Sequence, residues 1–145
     1  MNEDIGNSVD TSVIIPVHEQ PALLRDALES VFEQTYDAFE VIVVDDNSTT
    51  DIEAIVSDFP DARIIRHGEN RGAGAARNTG IEAAQGTFLA FLDADDTWKE
   101  SKLEKQRHIL KQRGDELGLV YTGFVQYELD GTKWERAPKA KGDIY

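Results

Sequence analysis

Phe39 to Asp46 spells FEVIVVDD, and its character sets the fold class that the rest of the chain must fit. Four consecutive β-branched aliphatics, Val41 to Val44, leave no polar face, so the strand they predict is covered on both sides. Strands of that kind belong to parallel sheets packed between helices. Two carboxylates, Asp45 and Asp46, close the run.

The segments on either side obey the same rule. TSVIIPV, Thr11 to Val17, is a short β-branched strand closed by Pro16. From Pro21 to Gln34, Leu23, Leu24, Ala27, Leu28, Val31 and Phe32 recur at helical spacing. Thr50 to Phe59 predicts a second amphipathic helix, which Ser48 or Thr49 is expected to cap. ARIIRH predicts a third strand, Ala73 to Ala84 a third helix and TFLAFL, Thr87 to Leu92, a fourth strand. A fourth helix follows over Trp98 to Arg113, with Asp96 or Thr97 as its expected cap. LGLVYTGFVQY predicts a long fifth strand, with LDGT turning into KWERA as a hairpin. Tyr121, Phe124 and Trp134 are expected in the core. Such alternation predicts an α/β fold, a doubly wound, mostly parallel sheet with helices on both faces. Residues 1–10 are expected to be a disordered leader and 11–145 a single domain.

The totals bound the function. The 145 residues suit one compact domain. No apolar run approaches the roughly 20 residues that a membrane helix needs. Cysteine is absent, which removes disulfides, thiolate metal sites and thiol nucleophiles, and fits a cytoplasmic protein, including one at the inner face of the membrane. The net charge of −13 repels nucleic acid and anionic lipid. An acidic surface with only seven lysines also suits a salt-rich cytoplasm. A halophilic source is therefore an expectation, and it requires the unfolding midpoint to rise with added KCl.

In a sheet of this kind, ligands bind beyond the carboxyl ends of the strands. Four clusters lie there: Pro16-Val17-His18-Glu19, Asp45-Asp46-Asn47-Ser48, the loop from His67 to Gly74, and Asp93-Ala94-Asp95-Asp96. In an extended segment residues two apart share a side, so Asp93 and Asp95 can face one pocket. Two hard oxygen donors without His or Cys suit Mg²⁺ or Mn²⁺ carried with a diphosphate; the plain alternative is a solvated turn capping the next helix. Asp45 or Asp46 could accept hydrogen bonds from a base or ribose, or serve as turn chemistry. Arg77 can meet a phosphate or pair with an aspartate. Gly72-x-Gly74 only faintly resembles a dinucleotide fingerprint, since Arg77 stands where the third glycine belongs, so NAD and FAD are discounted. His18 and His67 are ordinary loop histidines on this reading.

Taken together, SVIIPVHE, ALESVFEQTY, FEVIVVDDNSTTD, NRGAGAARNTGIEAAQGTFLAFLDADD and LVYTGF resemble the family-2 glycosyltransferases of GT-A fold, over Thr11 to about Phe124 and in family order. The resemblance implies inverting transfer of a sugar, of hexosyltransferase type, from a nucleotide-diphospho-sugar, commonly a UDP-sugar, to an acceptor that is a glycan, a lipid or a protein. It implies that Pro16, Val17 and Glu19 lie along the nucleotide, that Asp46 meets the base, and that Asn70 to Gly72 close over the nucleotide. It further implies that Arg77 lies near the base, that Asp93 faces the ribose side, and that Asp95 holds the metal with Asp93. The family often carries an aromatic residue and Asn where this chain has His18 and Glu19. No residue matches the family's catalytic base: Asp130 falls in a hairpin tip and Asp143 in a tail, so the base is expected beyond Tyr145 and self-association through the fifth-strand region is expected.

Two other classes fit parts of the pattern. A non-catalytic nucleotide-sugar-binding module would use the same binding residues. A receiver-type signalling domain also binds Mg²⁺ with strand-end acids, but would place them after the first and third strands rather than the second and fourth.

Overall fold

The computed structural model describes residues 9–114 and 117–137. The chain divides into two compact units, Met1–Leu103 and Glu104–Tyr145. In the first, β1 (Thr11–Val17), α1 (Pro21–Phe32), β2 (Phe39–Asp45), α2 (Ile52–Val56), β3 (Ala62–Arg66), α3 (Ala73–Ala83) and β4 (Phe88–Phe91) alternate. Their strands form one parallel sheet in the order β3-β2-β1-β4, in register from Thr11 opposite Phe39 to Val17 opposite Asp45.

The continuous apolar runs explain the layers. Side chains of a strand alternate between faces. Val13, Ile15, Val17, Val41 and Val43 therefore pack on one side with Leu24, Ala27, Leu28 and Val31 of α1 and Ile52 and Val56 of α2. Ile42 and Val44 pack on the other with Ala76 of α3. Gly80 lets α3 approach β1 closely, because a Cβ there would run into the side chain of Ile14.

The chain steps outward from β1 to β2 to β3, and α3 then carries it back to lay β4 on the far side of β1. That reversal opens a crevice at the carboxyl ends of β1 and β4. Pro16 fits there for a specific reason. The Ile14 carbonyl accepts from Leu92 N, so the even-numbered residues of β1 turn their backbone groups toward β4. By Pro16, β4 has ended at Phe91, and a missing N–H forfeits no ladder bond.

Several local expectations are corrected. The cap of α2 is Asp51, whose side chain accepts from Ala54 N at 3.0 Å, rather than Ser48 or Thr49. Helix α4 starts at Lys102 and runs to Arg113, so neither Asp96 nor Thr97 caps it. The fifth strand is short: β5 (Phe124–Tyr127) pairs only with β6 (Lys133–Arg136), antiparallel, in a sheet of their own. Tyr121, Phe124 and Trp134 are exposed at 43%, 54% and 61%. A two-stranded ribbon has no second layer to bury Phe124 and Trp134, and Tyr121 precedes it. Of the expected leader, residues 1–8 lie outside the described residues, as does Asp143, while Asp10 N donates to Ala38 O at 3.0 Å. No described helix is long and apolar enough to cross a membrane.

Candidate functional site

The four carboxyl-end loops converge. A cavity of about 250 Å³ is lined by Pro16, Val17, His18, Gln20, Asp46, Ala73, Ala76, Arg77, Asp93, Ala94 and Asp95, a volume just under the usual range for ligand pockets. Of the residues expected at a nucleotide site, Pro16, Val17, Asp46, Arg77, Asp93 and Asp95 line it. Glu19, Asn70 and Gly72 stand behind the lining.

Asp46 organises the floor. It follows β2, is 3% exposed, and both its oxygens are engaged. Oδ1 accepts from His67 Nδ1 at 2.7 Å and from Arg71 N at 2.9 Å. Oδ2 accepts from Gly72 N at 2.6 Å. Burial works to raise the Asp46 carboxyl, yet the Arg71 N–H, the His67 ring and the Gly72 N–H outweigh it and hold the group below the ordinary carboxylate range. Gly72, with φ of 87°, is the residue before α3; that left-handed conformation is one glycine adopts without strain.

The loops after β1 and β2 are stitched together. Glu19 N donates to Ser48 Oγ at 3.0 Å, and the Glu19 carboxylate accepts from Thr49 N and, at 3.2 Å, from Thr50 N. Those N–H groups lower the Glu19 carboxyl pKa, that of Thr49 most. Asp45 holds its own turn through Oδ1, which accepts from Ser48 N at 2.9 Å and Ser48 Oγ at 2.6 Å, while Oδ2 lies 3.6 Å from Arg66 Nε. His18 Nδ1 lies 3.0 Å from the Asp46 carbonyl oxygen, which it reaches as a donor. The Asn70 amide nitrogen sits 3.3 Å from His18 Nε2.

The far wall carries charge. Arg77 Nη2 donates to Asp93 Oδ1 at 2.5 Å, with the two side chains 36% and 51% exposed. Arg77 is thus paired with Asp93 while lining the cavity. Asp96 N closes a turn onto Asp93 O at 3.0 Å. Burial, then Asp95, then Asp93 raise the Asp96 carboxyl, a sign of negative charge gathered without enough neutralisation. Among the described residues no group of three or more His, Cys, Asp or Glu forms a metal-holding cluster. Asp93 and Asp95, two hard carboxylates lining one cavity, are the donor type taken by cations that use one or two protein ligands and complete their shell with water and phosphate oxygens, as Mg²⁺ and Mn²⁺ do.

His18, Gln20, Ala73, Ala76 and Ala94 were not singled out by residue type. For His18 a positional signal existed, since it directly follows β1 within a candidate loop. His67, which directly follows β3 and opens another candidate loop, carried the same positional signal, but nothing in the sequence marked its burial at 6% exposed.

Residues 12–143 match the family described as glycosyl transferase family 2. The Bacillus subtilis (strain 168) glycosyltransferase TuaG, named for teichuronic acid biosynthesis, is 38% identical over 136 residues, which are 89% of this chain and 53% of TuaG. The solved structure of S. aureus TarS 1-349 in complex with UDP-GlcNAc has a TM-score of 0.70 at 28% identity, covering 72% of this chain and 32% of that one. Mannosyltransferase PcManGT from Pyrobaculum calidifontis, solved with GDP-Man and Mn²⁺, has a TM-score of 0.60 at 27% identity, covering 80% of this chain and 34% of that one. This chain thus spans about half the length of TuaG and about a third of each of the two solved chains.

Proposed function

This chain belongs to glycosyl transferase family 2 and has the GT-A fold, and from that premise we propose that it forms the donor-binding half of an inverting, metal-dependent hexosyltransferase that uses a UDP-sugar. The observation that carries the reading is the single cavity in which Asp46, Arg77, Asp93 and Asp95 meet at the carboxyl edge of the sheet. The UDP-GlcNAc held by TarS favours a uridine donor.

On this reading each residue has a task. Asp46 Oδ2, which accepts one N–H, keeps a lone pair for the base. Pro16 and Val17 form the wall along the nucleotide, with Glu19 bracing their loop. Asn70 and Gly72 cover it. Arg77 supplies positive charge beside the diphosphate, Asp93 faces the ribose side, and Asp95 with Asp93 holds Mg²⁺ or Mn²⁺. When bound, that cation would offset the charge building on the leaving diphosphate. In the reaction the acceptor hydroxyl would give its proton to a general base as its oxygen bonds to the anomeric carbon, and the bond from that carbon to the diphosphate oxygen would break, releasing UDP with inversion of configuration. The acceptor's class, whether glycan, lipid or protein, stays open in this proposal.

The same geometry favours a restriction. Asp46 is committed to three donors, Asp93 to Arg77 and Asp95 to the cation, which leaves no carboxylate among the described lining residues to act as general base. Losing that assistance costs about 10²–10⁴-fold. The test is to incubate the 145-residue chain with UDP-sugars, Mn²⁺ and a panel of acceptors, following UDP release and glycoside formation. The expected result is donor binding with UDP release at least 10²-fold below the roughly 10 s⁻¹ of a median enzyme. Glycoside formation near 1 s⁻¹ would mean that a base lies in the cavity after all.

A further inference from the structure

We propose, resting on the donor-binding reading above, that His67 is a positioning residue whose ring ties three walls of the cavity into one hydrogen-bonded unit. Its backbone is pinned first, because His67 N donates to Asp45 O at 2.9 Å and so extends the β2–β3 ladder by one bond. The ring is then held at both ends. Nδ1 meets Asp46 Oδ1 at 2.7 Å, and Nε2 meets Thr79 Oγ1 at 2.8 Å. An ionised carboxylate only accepts, so Nδ1 bears the hydrogen, while the Thr79 hydroxyl can rotate to suit Nε2.

Each partner leads to a different wall. Asp46 forms the floor and, through Arg71 N and Gly72 N, fixes the loop that enters α3. Thr79 lies on α3 two residues beyond Arg77, which lines the cavity and bears on Asp93. Without the ring, the end of β2 and the middle of α3 would lose the hydrogen-bonded bridge between them, keeping the packing of Val44 on Ala76, and Asp46 would lose one of its three donors. His67 is not among the cavity-lining residues, and of its described hydrogen-bond partners only Asp46 is, so its effect on a ligand is indirect.

The test compares His67→Ala, His67→Asn and Thr79→Val with the unchanged chain. Asparagine places an amide N–H near the position of Nδ1 and keeps the bond to Asp46. Two readouts are taken: the UDP dissociation constant in Mn²⁺, and hydrogen exchange of the Arg71 and Gly72 amides relative to that of Ile42 in the sheet. The expected result for His67→Ala is an approximately tenfold weaker dissociation constant, matching the loss of one charge-assisted bond, with faster exchange confined to Arg71 and Gly72. His67→Asn should restore both to within about threefold, and Thr79→Val should weaken UDP binding while leaving those two amides protected. Should His67→Ala fail to fold, the UDP affinity of Thr79→Val still decides the matter. Unchanged UDP affinity and exchange in a folded His67→Ala, or unchanged UDP affinity in Thr79→Val, would overturn the proposal. If the unchanged chain does not bind UDP, the donor reading fails, and the exchange data alone establish or overturn the role of His67.

Discussion

Replacing Asp46 by alanine is expected to cost about 3–5 kcal/mol of folding stability, because it strips one partner from a buried, charge-assisted network. Three donors converge on that carboxylate: His67 Nδ1, Arg71 N and Gly72 N. Removing it leaves a buried imidazole and two loop amides facing a void. Asp46→Asn should cost less, about 1–3 kcal/mol, since its oxygen can still accept while its NH₂ opposes one of the donors. Urea unfolding at neutral pH measures both. The pH dependence follows from the direction of the shift. A carboxylate whose folded pKa lies below its unfolded value stabilises above the unfolded value, and that contribution is lost as pH falls through the folded one. The gap between the unchanged chain and Asp46→Ala should therefore be constant near neutrality and narrow only below the ordinary carboxylate range. A gap under about 1 kcal/mol at neutral pH would mean that the loop does not depend on Asp46.

The second large effect concerns binding without stability. Asp95→Ala should abolish the metal-dependent part of UDP affinity, a loss of at least about tenfold, or ~1.4 kcal/mol. Removing one of two carboxylate ligands leaves the cation badly held. Asp95 is exposed, so the unfolding midpoint should barely move, which separates a ligand role from a structural one. Asp96→Asn is the control. Asp96 is not among the cavity-lining residues, and its neutralisation relieves the repulsion from Asp95 and Asp93 that raises its carboxyl. Its effect on UDP affinity should stay within about threefold. Equal losses in the two variants would place the cation elsewhere.

The fold was legible because its signals are local and redundant. The uninterrupted Val41-Ile42-Val43-Val44 and Val13-Ile14-Ile15 runs can be satisfied only between two helical layers, and the structure divides them accordingly. From parallel strands, the meeting of their carboxyl-end loops follows by topology, which is why Asp46, Arg77, Asp93 and Asp95 could be named together before any coordinates. What was not legible depends on tertiary partners. His67 resembles any loop histidine until β2 supplies Asp46 and α3 supplies Thr79. Glu19 suggested a ligand contact by position, whereas its carboxylate is occupied by the Thr49 and Thr50 amides. The apolar pattern of Tyr121, Phe124 and Trp134 implies burial, but a pattern states only that a face wants cover. Phe124 and Trp134 stay exposed in the β5–β6 ribbon, because two strands alone cannot enclose them, and Tyr121, ahead of β5, is exposed too.

The central claim is that the carboxyl edge of this sheet binds a uridine diphosphate together with a divalent cation. Isothermal titration of the unchanged chain with UDP, once in Mn²⁺ and once in EDTA, addresses it most directly. The account predicts saturable one-to-one binding in both, at least about tenfold tighter with the metal. Equal affinity in the two buffers would contradict the cation's place at Asp93 and Asp95, and the absence of binding in either would contradict the donor site itself.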